Sequence, residues 1–324
     1  MEPIQRSQKN KNEIYFDTYE IDNKLSKKDI CEIKIKKNEE IINNIFKHFK
    51  KTAKEEPNSE DKNIDFPKYF AQIGIDEYKY TGILSNNLNR DMYGYSLMPN
   101  NDQYLGEYKK EIRDGFGIYK FNPNENEIEI YIGNYINNKK TGKGMYLKIF
   151  QLKDNTLINY ECSVGDFEND IFKKGIIFSM KNEEKTLYKG KVDENGIPDD
   201  DNAIIIKFRN NVLCGKIVNG EFVEGRNIIL NNNNEKEKGY YFCVNNMYNM
   251  PYKFDYRKNE ENDESLIKIL KNYLNKDYNN KIQNIYNKII KILEQFNDFE
   301  KAISFNFNGF KSEIQSNIDN IIKE

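Results

Sequence analysis

Little in this chain has the type and spacing needed for chemistry. Its one histidine, His48, stands in FKHFKK on the polar side of an amphipathic segment, where a solvated side chain is expected. With no second histidine, His-dependent catalytic arrangements and Cys/His zinc sites have no members to draw on. TGKG at 141–144 has the outline of a phosphate loop, but the upstream glycine and the Ser/Thr after the lysine are missing. DENGIPDDD at 193–201 invites a calcium reading. An EF-type loop places glycine sixth and a bidentate Glu twelfth, whereas here Gly196 is fourth and Ile204 twelfth, so an acidic surface turn is expected. Cys31, Cys162, Cys214 and Cys243 fit no disulfide framework or metal signature and read as free thiols in a reducing compartment. The carboxylates are scattered through turns, so no acid–base pair can be nominated. These residues predict a chain that is not an enzyme and that carries no cofactor and no metal.

Composition narrows the partners. The net charge is −2 with a pI near 5.9, which does not favour nucleic acid. Of the 324 residues 31% are charged and only 38% apolar, a balance that leans toward disorder. The 23 Tyr and 20 Phe argue the other way, for a folded protein with a thin core, elongated and of two or three structural units. MEPIQRSQKNKNE lacks the apolar region of a secretory signal, and no apolar run approaches the ~18 residues of a membrane span.

The element that must carry these residues is a repeat. Residues 104–119 and 131–146 both fit Y-x-G-x-Y, a polar turn, then G-x-G-x-Y. The first copy places Tyr104, Gly106, Tyr108, Gly115, Gly117 and Tyr119; the second places Tyr131, Gly133, Tyr135, Gly142, Gly144 and Tyr146. Weaker copies open at Tyr80 and Gly82 and close at Gly94, open at Gly165 and close at Gly175, and start at Gly190 and at Gly215. A seventh runs from Gly239, and the starts fall 24 to 32 residues apart. Strand-period alternation around a polar turn predicts a hairpin per copy. Glycine leaves flat, bare backbone beneath an aromatic ring, so that in register Tyr from one hairpin can cover the glycine gap of its neighbour. A lone hairpin is marginal in water, so successive copies must complete one another, and six would form a ribbon of roughly 55–60 Å.

This pattern resembles the MORN (membrane occupation and recognition nexus) repeat family over about residues 78–256. The resemblance implies a mainly β fold, an elongated single-layer antiparallel meander with an aromatic-lined surface that binds other proteins. It also implies service in cytoskeletal, flagellar or membrane-junction assemblies at a cytoplasmic location, and a proposed affinity for lipid. A partner helix or peptide would then lie on Tyr104, Tyr108, Tyr119, Tyr131, Tyr135 and Tyr146, in a groove continuous over residues 80–178. The same tyrosines could instead be simply core.

Three segments are expected: a flank at 1–75, six or seven repeats at 76–256, and a helical tail at 257–324. In the first, EIYFDTYEI and CEIKIKK alternate like strands, although Ser26 with Asp29 could equally cap a helix, and residues 38–54 form an amphipathic helix before an acidic linker. Lys47, Lys50, Lys51 and Lys54 beside its apolar face could meet anionic lipid, or the helix could cap the sheet. In the tail Tyr278, Ile282, Ile285, Ile289, Ile292, Phe296, Phe299 and Ile303 are spaced alternately four and three, a coiled-coil-like seam. SFNFNGF should break it before a short final helix. The seam could pack on the sheet, make a homodimer through 278–303, or receive a partner helix. The leading expectation is a non-catalytic interaction scaffold; a membrane-surface adaptor and a regulatory subunit of an enzyme complex are the alternatives.

Overall fold

The computed structural model describes residues 13–14, 30–36, 69–75, 78–84, 89–124, 127–207, 211–230, 236–243, 254–255, 277–298, 301–302 and 304–323. The helix expected at 38–54, with His48, Lys47, Lys50, Lys51 and Lys54, lies outside them, as do the acidic linker, residues 244–253 and 257–276, Phe299 and Ile303.

The fold is mainly β, an open antiparallel meander with two C-terminal helices. β1 (Glu13–Ile14), β2 (Ile30–Lys36) and β3 (Tyr69–Ile75) come first. β4 (Tyr78–Leu84), β5 (Arg90–Leu97), β6 (Gln103–Lys109), β7 (Ile112–Asn124) and β8 (Glu127–Ile136) follow. Then come β9 (Lys139–Lys153), β10 (Thr156–Glu168), β11 (Ile171–Lys181), β12 (Glu184–Lys191) and β13 (Asp200–Lys207). β14 (Asn211–Val218), β15 (Glu221–Leu230), β16 (Lys236–Cys243) and β17 (Phe254–Asp255) complete the strands. The defined pairings join neighbours in sequence, all antiparallel. CEIKIKK is indeed a strand, β2, and through β3 it extends the sheet ahead of residue 76.

Six of the hairpins turn on two residues that both have positive φ, as type I′ turns require. These are Lys110–Glu111, Asn137–Asn138, Asp154–Asn155, Asn169–Asp170, Asn182–Glu183 and Asn219–Gly220. Asn and Asp tolerate that conformation better than other side chains, so the asparagine-rich composition has a conformational use.

The chain divides into two compact units. The first holds residues 1–122, 130–139 and 288–315; the second holds 123–129, 140–287 and 316–324. This division passes through the repeats and through both helices, because each helix gives one part of its length to each unit.

In the first unit, Tyr95, Leu105 and Ile118 stand opposite one another across β5, β6 and β7 on one face of the sheet, all buried. Helical residues cover that face: Phe296 lies 5.6 Å from Tyr95, and Phe307 stacks on Tyr93 at 4.8 Å and 8°. Lys311 places Nζ 2.9 and 3.0 Å from the two carboxylate oxygens of Glu107. In the second unit the corresponding row runs Leu147, Cys162, Phe178, Leu187, Ile206 and Val212, again buried throughout. Tyr278 stacks on Phe178 at 6.0 Å, and Tyr160 donates to Asn279 Oδ1 at 2.5 Å. Gln283 clamps the Asp154–Asn155 hairpin: its Oε1 accepts the Leu157 N–H at 2.8 Å and its Nε2 donates to the Asn155 carbonyl at 2.9 Å.

The helices are α1 (Tyr278–Gln295) and α2 (Phe307–Lys323). Asp277 caps α1, its Oδ1 accepting the Asn280 N–H at 3.1 Å, and Asn306 caps α2 through the Gly309 N–H at 3.0 Å. α1 ends at Gln295, short of the expected run to 303: residues 296–298 form a turn, 301–302 are helical again, and α2 begins at Phe307, so the last four residues of SFNFNGF are already helical. The seam differs from the one expected. Ile292 is only half-buried while Tyr286 and Leu293 are buried, so the apolar stripe follows i, i+3, i+4, i+7 rather than a strict heptad. That wider stripe suits a helix lying on a sheet, and within each unit the sheet is what it meets.

Candidate functional site

One local device sets the repeat tyrosines. In β6 the Tyr104 ring folds back along its own strand over Gly106, and its hydroxyl donates to the Glu107 carbonyl at 2.9 Å. Tyr80 does the same over Gly82, to Ile83 at 2.9 Å, and Tyr188 over Gly190, to the Lys191 carbonyl. Tyr131 donates to the Asn134 carbonyl at 3.1 Å, again three residues on. The ring also covers a glycine of the next strand. A Cβ at Gly94 would sit 2.4 Å from Tyr80 Oη, and one at Gly117 would sit 2.5 Å from Tyr104 Oη. Rings therefore nest over glycine, but over glycines of their own hairpin and not, as expected, over those of the neighbouring one, because the hydroxyl is tied to a carbonyl three residues on in its own strand. Gly165, Gly175 and Gly215 instead meet backbone, and Gly115 a carboxylate. Gly165 faces both Gly144 and Gly175, Gly215 faces Gly225, and Gly133 is buried in β8. Gly115 has φ +107 and would press a Cβ into the Glu107 carboxylate, so no other residue fits there without strain.

In the first unit the rings continue into an edge-on chain. Tyr80 meets Tyr108 at 6.0 Å, Tyr108 meets Tyr104 at 5.1 Å, Tyr104 meets Tyr135 at 5.6 Å and Tyr135 meets Tyr131 at 5.3 Å, all near perpendicular. Cations close the chain from above. Arg90 lies 5.0 Å from the Tyr108 ring, and Arg113 lies 5.7, 5.0 and 5.4 Å from Tyr104, Tyr119 and Tyr135. Each cation is fixed by the turn of a later hairpin. The Asn138 N–H donates to the Arg113 carbonyl at 3.0 Å while Asn138 Oδ1 accepts the Arg113 N–H at 2.9 Å. Glu111 holds Arg90 by the same reciprocal pair. In the second unit Asp170 likewise clasps Lys140, whose Nζ lies 4.6 Å from the Tyr146 ring.

These contacts overturn the expectation of an open tyrosine groove. Tyr104 and Tyr131 have no accessible surface, and Tyr108, Tyr119 and Tyr135 are buried. Tyr108 shares a 2.8 Å hydrogen bond with Ser96, and Tyr119 donates to Asp102 Oδ2 at 3.1 Å. Tyr146 is half-buried and donates to Glu129. The rings are internal because glycine lets each lie flat, so a layer of tyrosines seals itself. Burial, then the neighbouring Tyr108 and Tyr135, raises the Tyr104 phenol well above the usual value. Burial and then Asp102 raise Tyr119 to about 12.

The surface that stays partly open lies elsewhere, in the second unit. On the face opposite the helix-covered one, Ile177, Tyr188, Ile205 and Leu213 form a row across β11 to β14. Tyr188 is buried, but Ile177, Ile205 and Leu213 are only half-buried. Half-buried Phe172 and Phe222 pack on the same cluster, around Val192, Ala203 and Ile217. Aliphatic side chains here replace the self-sealing tyrosines, and after Gly190 the repeat loses its closing glycines. That loss is visible in the sequence as Asp199–Asp201, yet sequence reasoning set the groove at 80–178.

The rejected motifs fall as follows. TGKG lies within β9, a strand and not a phosphate loop. Residues 193–201 form a tight acidic turn in which Asp193 Oδ1 accepts the N–H groups of Asn195 and Ile197 at 2.9 and 2.8 Å. Those bonds, the Ile197 one foremost, hold its carboxyl below the usual range. Cys162 is buried, which pushes its thiol up. Among the described residues no cluster of His, Cys, Asp and Glu is placed to hold a metal, and no helix is long and apolar enough to cross a membrane. Compared with models of known families the chain matches none, and no curated protein matches it.

Proposed function

We propose that the chain is a non-catalytic interaction scaffold of MORN type, and that a partner helix or extended peptide lies across Phe172, Ile177, Ile205 and Phe222. The observation that carries this reading is the contrast between the two faces of β11 to β14. The row Phe178, Leu187, Ile206 and Val212 is closed, while Ile177, Ile205 and Leu213 on the opposite face keep accessible apolar surface. Accessible apolar side chains on a rigid sheet favour a partner that buries them. Rigidity comes from the tyrosine locks and I′ turns, which leave the surface preorganised and lower the ordering cost of binding. The resemblance to MORN repeats favours a cytoplasmic assembly, cytoskeletal or beneath a membrane.

Proximity labelling in the native cell would test it, comparing wild type with an Ile177→Lys/Ile205→Lys variant. Lysine at a half-buried site can extend its charge to water, so the variant should keep its unfolding midpoint within a few degrees and lose the labelled partners. A folded variant that labels the same set as wild type refutes the surface.

A further inference from the structure

The turn between β5 and β6, in the first unit, gathers a carboxylate, a phenol and a methionine sulfur around one hydrogen bond. Asp102 is 8% accessible, and no lysine or arginine pairs with it among the described residues. Its side chain rests on two donors: Oδ1 accepts the Asn122 N–H at 2.8 Å, and Oδ2 accepts the Tyr119 hydroxyl at 3.1 Å. With a further bond from Asn122 Nδ2 to the Asn101 carbonyl at 3.3 Å, the turn is tied to the end of β7. The turn itself is closed by the Met98 N–H on the Asp102 carbonyl at 2.9 Å and the Asn101 N–H on the Met98 carbonyl at 2.8 Å.

Met98 Sδ lies 3.2 Å from the same Tyr119 hydroxyl. Of the described methionines, Met92, Met98, Met145 and Met180, it is the one whose sulfur meets a hydrogen-bonding group. Met98 is half-buried beside the exposed Pro99, Asn100 and Asn101, whereas Met145 is fully enclosed. A thioether is a weak acceptor, so the phenol proton stays with the carboxylate. Oxidation reverses that preference. A sulfur lone pair attacks hydrogen peroxide, the O–O bond breaks as the S–O bond forms, and water leaves; sulfur is oxidised and peroxide reduced. Two sulfoxide epimers result. In the one whose oxygen faces Tyr119, the 3.2 Å gap is too short for an S–O bond and an O–H···O contact in line. The phenol must then move off, or turn its proton to the sulfoxide, and in either case Oδ2 loses its donor at a nearly closed site.

We infer that Met98 is a redox-sensitive latch: its oxidation to the sulfoxide by hydrogen peroxide draws Tyr119 from Asp102 and loosens the tie between the β5–β6 turn and β7, and reduction of the sulfoxide restores it. Tyr119 is also one of the three rings beneath Arg113, so the change reaches the tyrosine layer. The inference does not rest on the partner surface proposed above, which lies in the second unit.

Peroxide treatment of the folded full chain, followed by peptide mass mapping and hydrogen exchange, tests it. The sulfoxide should appear at Met98 while Met145 stays reduced. In chains carrying the epimer that faces Tyr119, the Asn122 amide should exchange about tenfold faster. Sulfoxide reductases are specific for one epimer each, so one of the two alone should restore slow exchange. Met98→Leu, a substitution close in volume, should show the same Asn122 exchange before and after peroxide, although Met92 and Met180 remain open to oxidation. A Met98 that stays reduced in the folded chain overturns the inference. So does an oxidised chain with unchanged Asn122 exchange, or a Met98→Leu variant that responds to peroxide as wild type does.

Discussion

Gly190→Ala isolates the physical claim about the repeats more cleanly than any other substitution. A Cβ at Gly190 would come within 2.4 Å of Tyr188 Oη and 2.8 Å of Cζ, while the next atom, Asp200 Oδ2, is at 3.3 Å. The ring is the main obstacle, and the Asp200 carboxylate, held by the Lys191 N–H at 2.8 Å, must shift slightly as well. To relieve the clash, Tyr188 must give up its hydrogen bond to the Lys191 carbonyl and lift off a cluster that includes Val192, Ala203 and Ile217. Overpacking costs about 1–3 kcal/mol and the lost hydrogen bond about 1, so the substitution should destabilise by roughly 2–4 kcal/mol. In a Tyr188→Leu background the shorter side chain leaves the space free. There the same Gly→Ala change should be neutral or stabilise by up to about 1 kcal/mol, because alanine suits a strand better than glycine. The assay is a double-mutant cycle by urea unfolding, reading midpoints at constant m-value. The predicted coupling, the difference between the two backgrounds, is about 2–5 kcal/mol. An equal cost in both backgrounds would mean that the ring does not occupy the glycine's space.

Four further outcomes follow from contacts already described. Asn138→Gly keeps the positive φ of the turn and loses both bonds to Oδ1, from the Arg113 N–H at 2.9 Å and from its Nε–H at 3.2 Å, so it should cost about 1–2 kcal/mol; Asn138→Ala adds the left-handed strain and should cost about 1–2 more. Gln283→Ala removes both bonds to the Asp154–Asn155 hairpin and should cost about 1–3 kcal/mol, with faster hydrogen exchange at Leu157. Lys311→Ala leaves Glu107 without its cation at a largely buried site and should cost about 1–3 kcal/mol, much less when paired with Glu107→Gln. Alkali should unfold the protein late. Burial raises Tyr95 and Tyr119 to about 12 in the folded state, above the ordinary phenol value of 10.0. The stability they contribute is therefore full below pH 10 and lost as pH climbs toward 12. Phenolate absorbance should appear with the unfolding transition rather than ahead of it.

The hairpins and their spacing could be read from the chain because Tyr and Gly mark one strand face at fixed intervals, and that regularity survives without knowledge of neighbours. That the rings cover Gly94 and Gly117 of their own hairpins, and not a neighbour's, is set by the hydroxyl bond to the carbonyl three residues on, which spacing does not announce. What spacing could not reveal was whether a tyrosine layer stays open. The answer depends on Arg90 and Arg113, fixed by hairpin turns about 20 residues on at Glu111 and Asn138, and no periodicity announces those clasps. The opposite face was also overlooked. Leu105, Ile118, Leu147 and Phe178 alternate as strongly as the tyrosines but lack glycines to draw the eye, and they are what the C-terminal helices cover. The helices themselves were legible; their docking turned on Tyr286 and Leu293, two residues outside the strict heptad.

The bond from a tyrosine hydroxyl to the carbonyl three residues later is closed within a single strand. Its formation asks nothing of distant sequence, so a copy brings its own lock wherever it is inserted. A chain built this way can gain or lose hairpins during evolution with each new member arriving already internally braced, and it can begin to fold at whichever copy orders first.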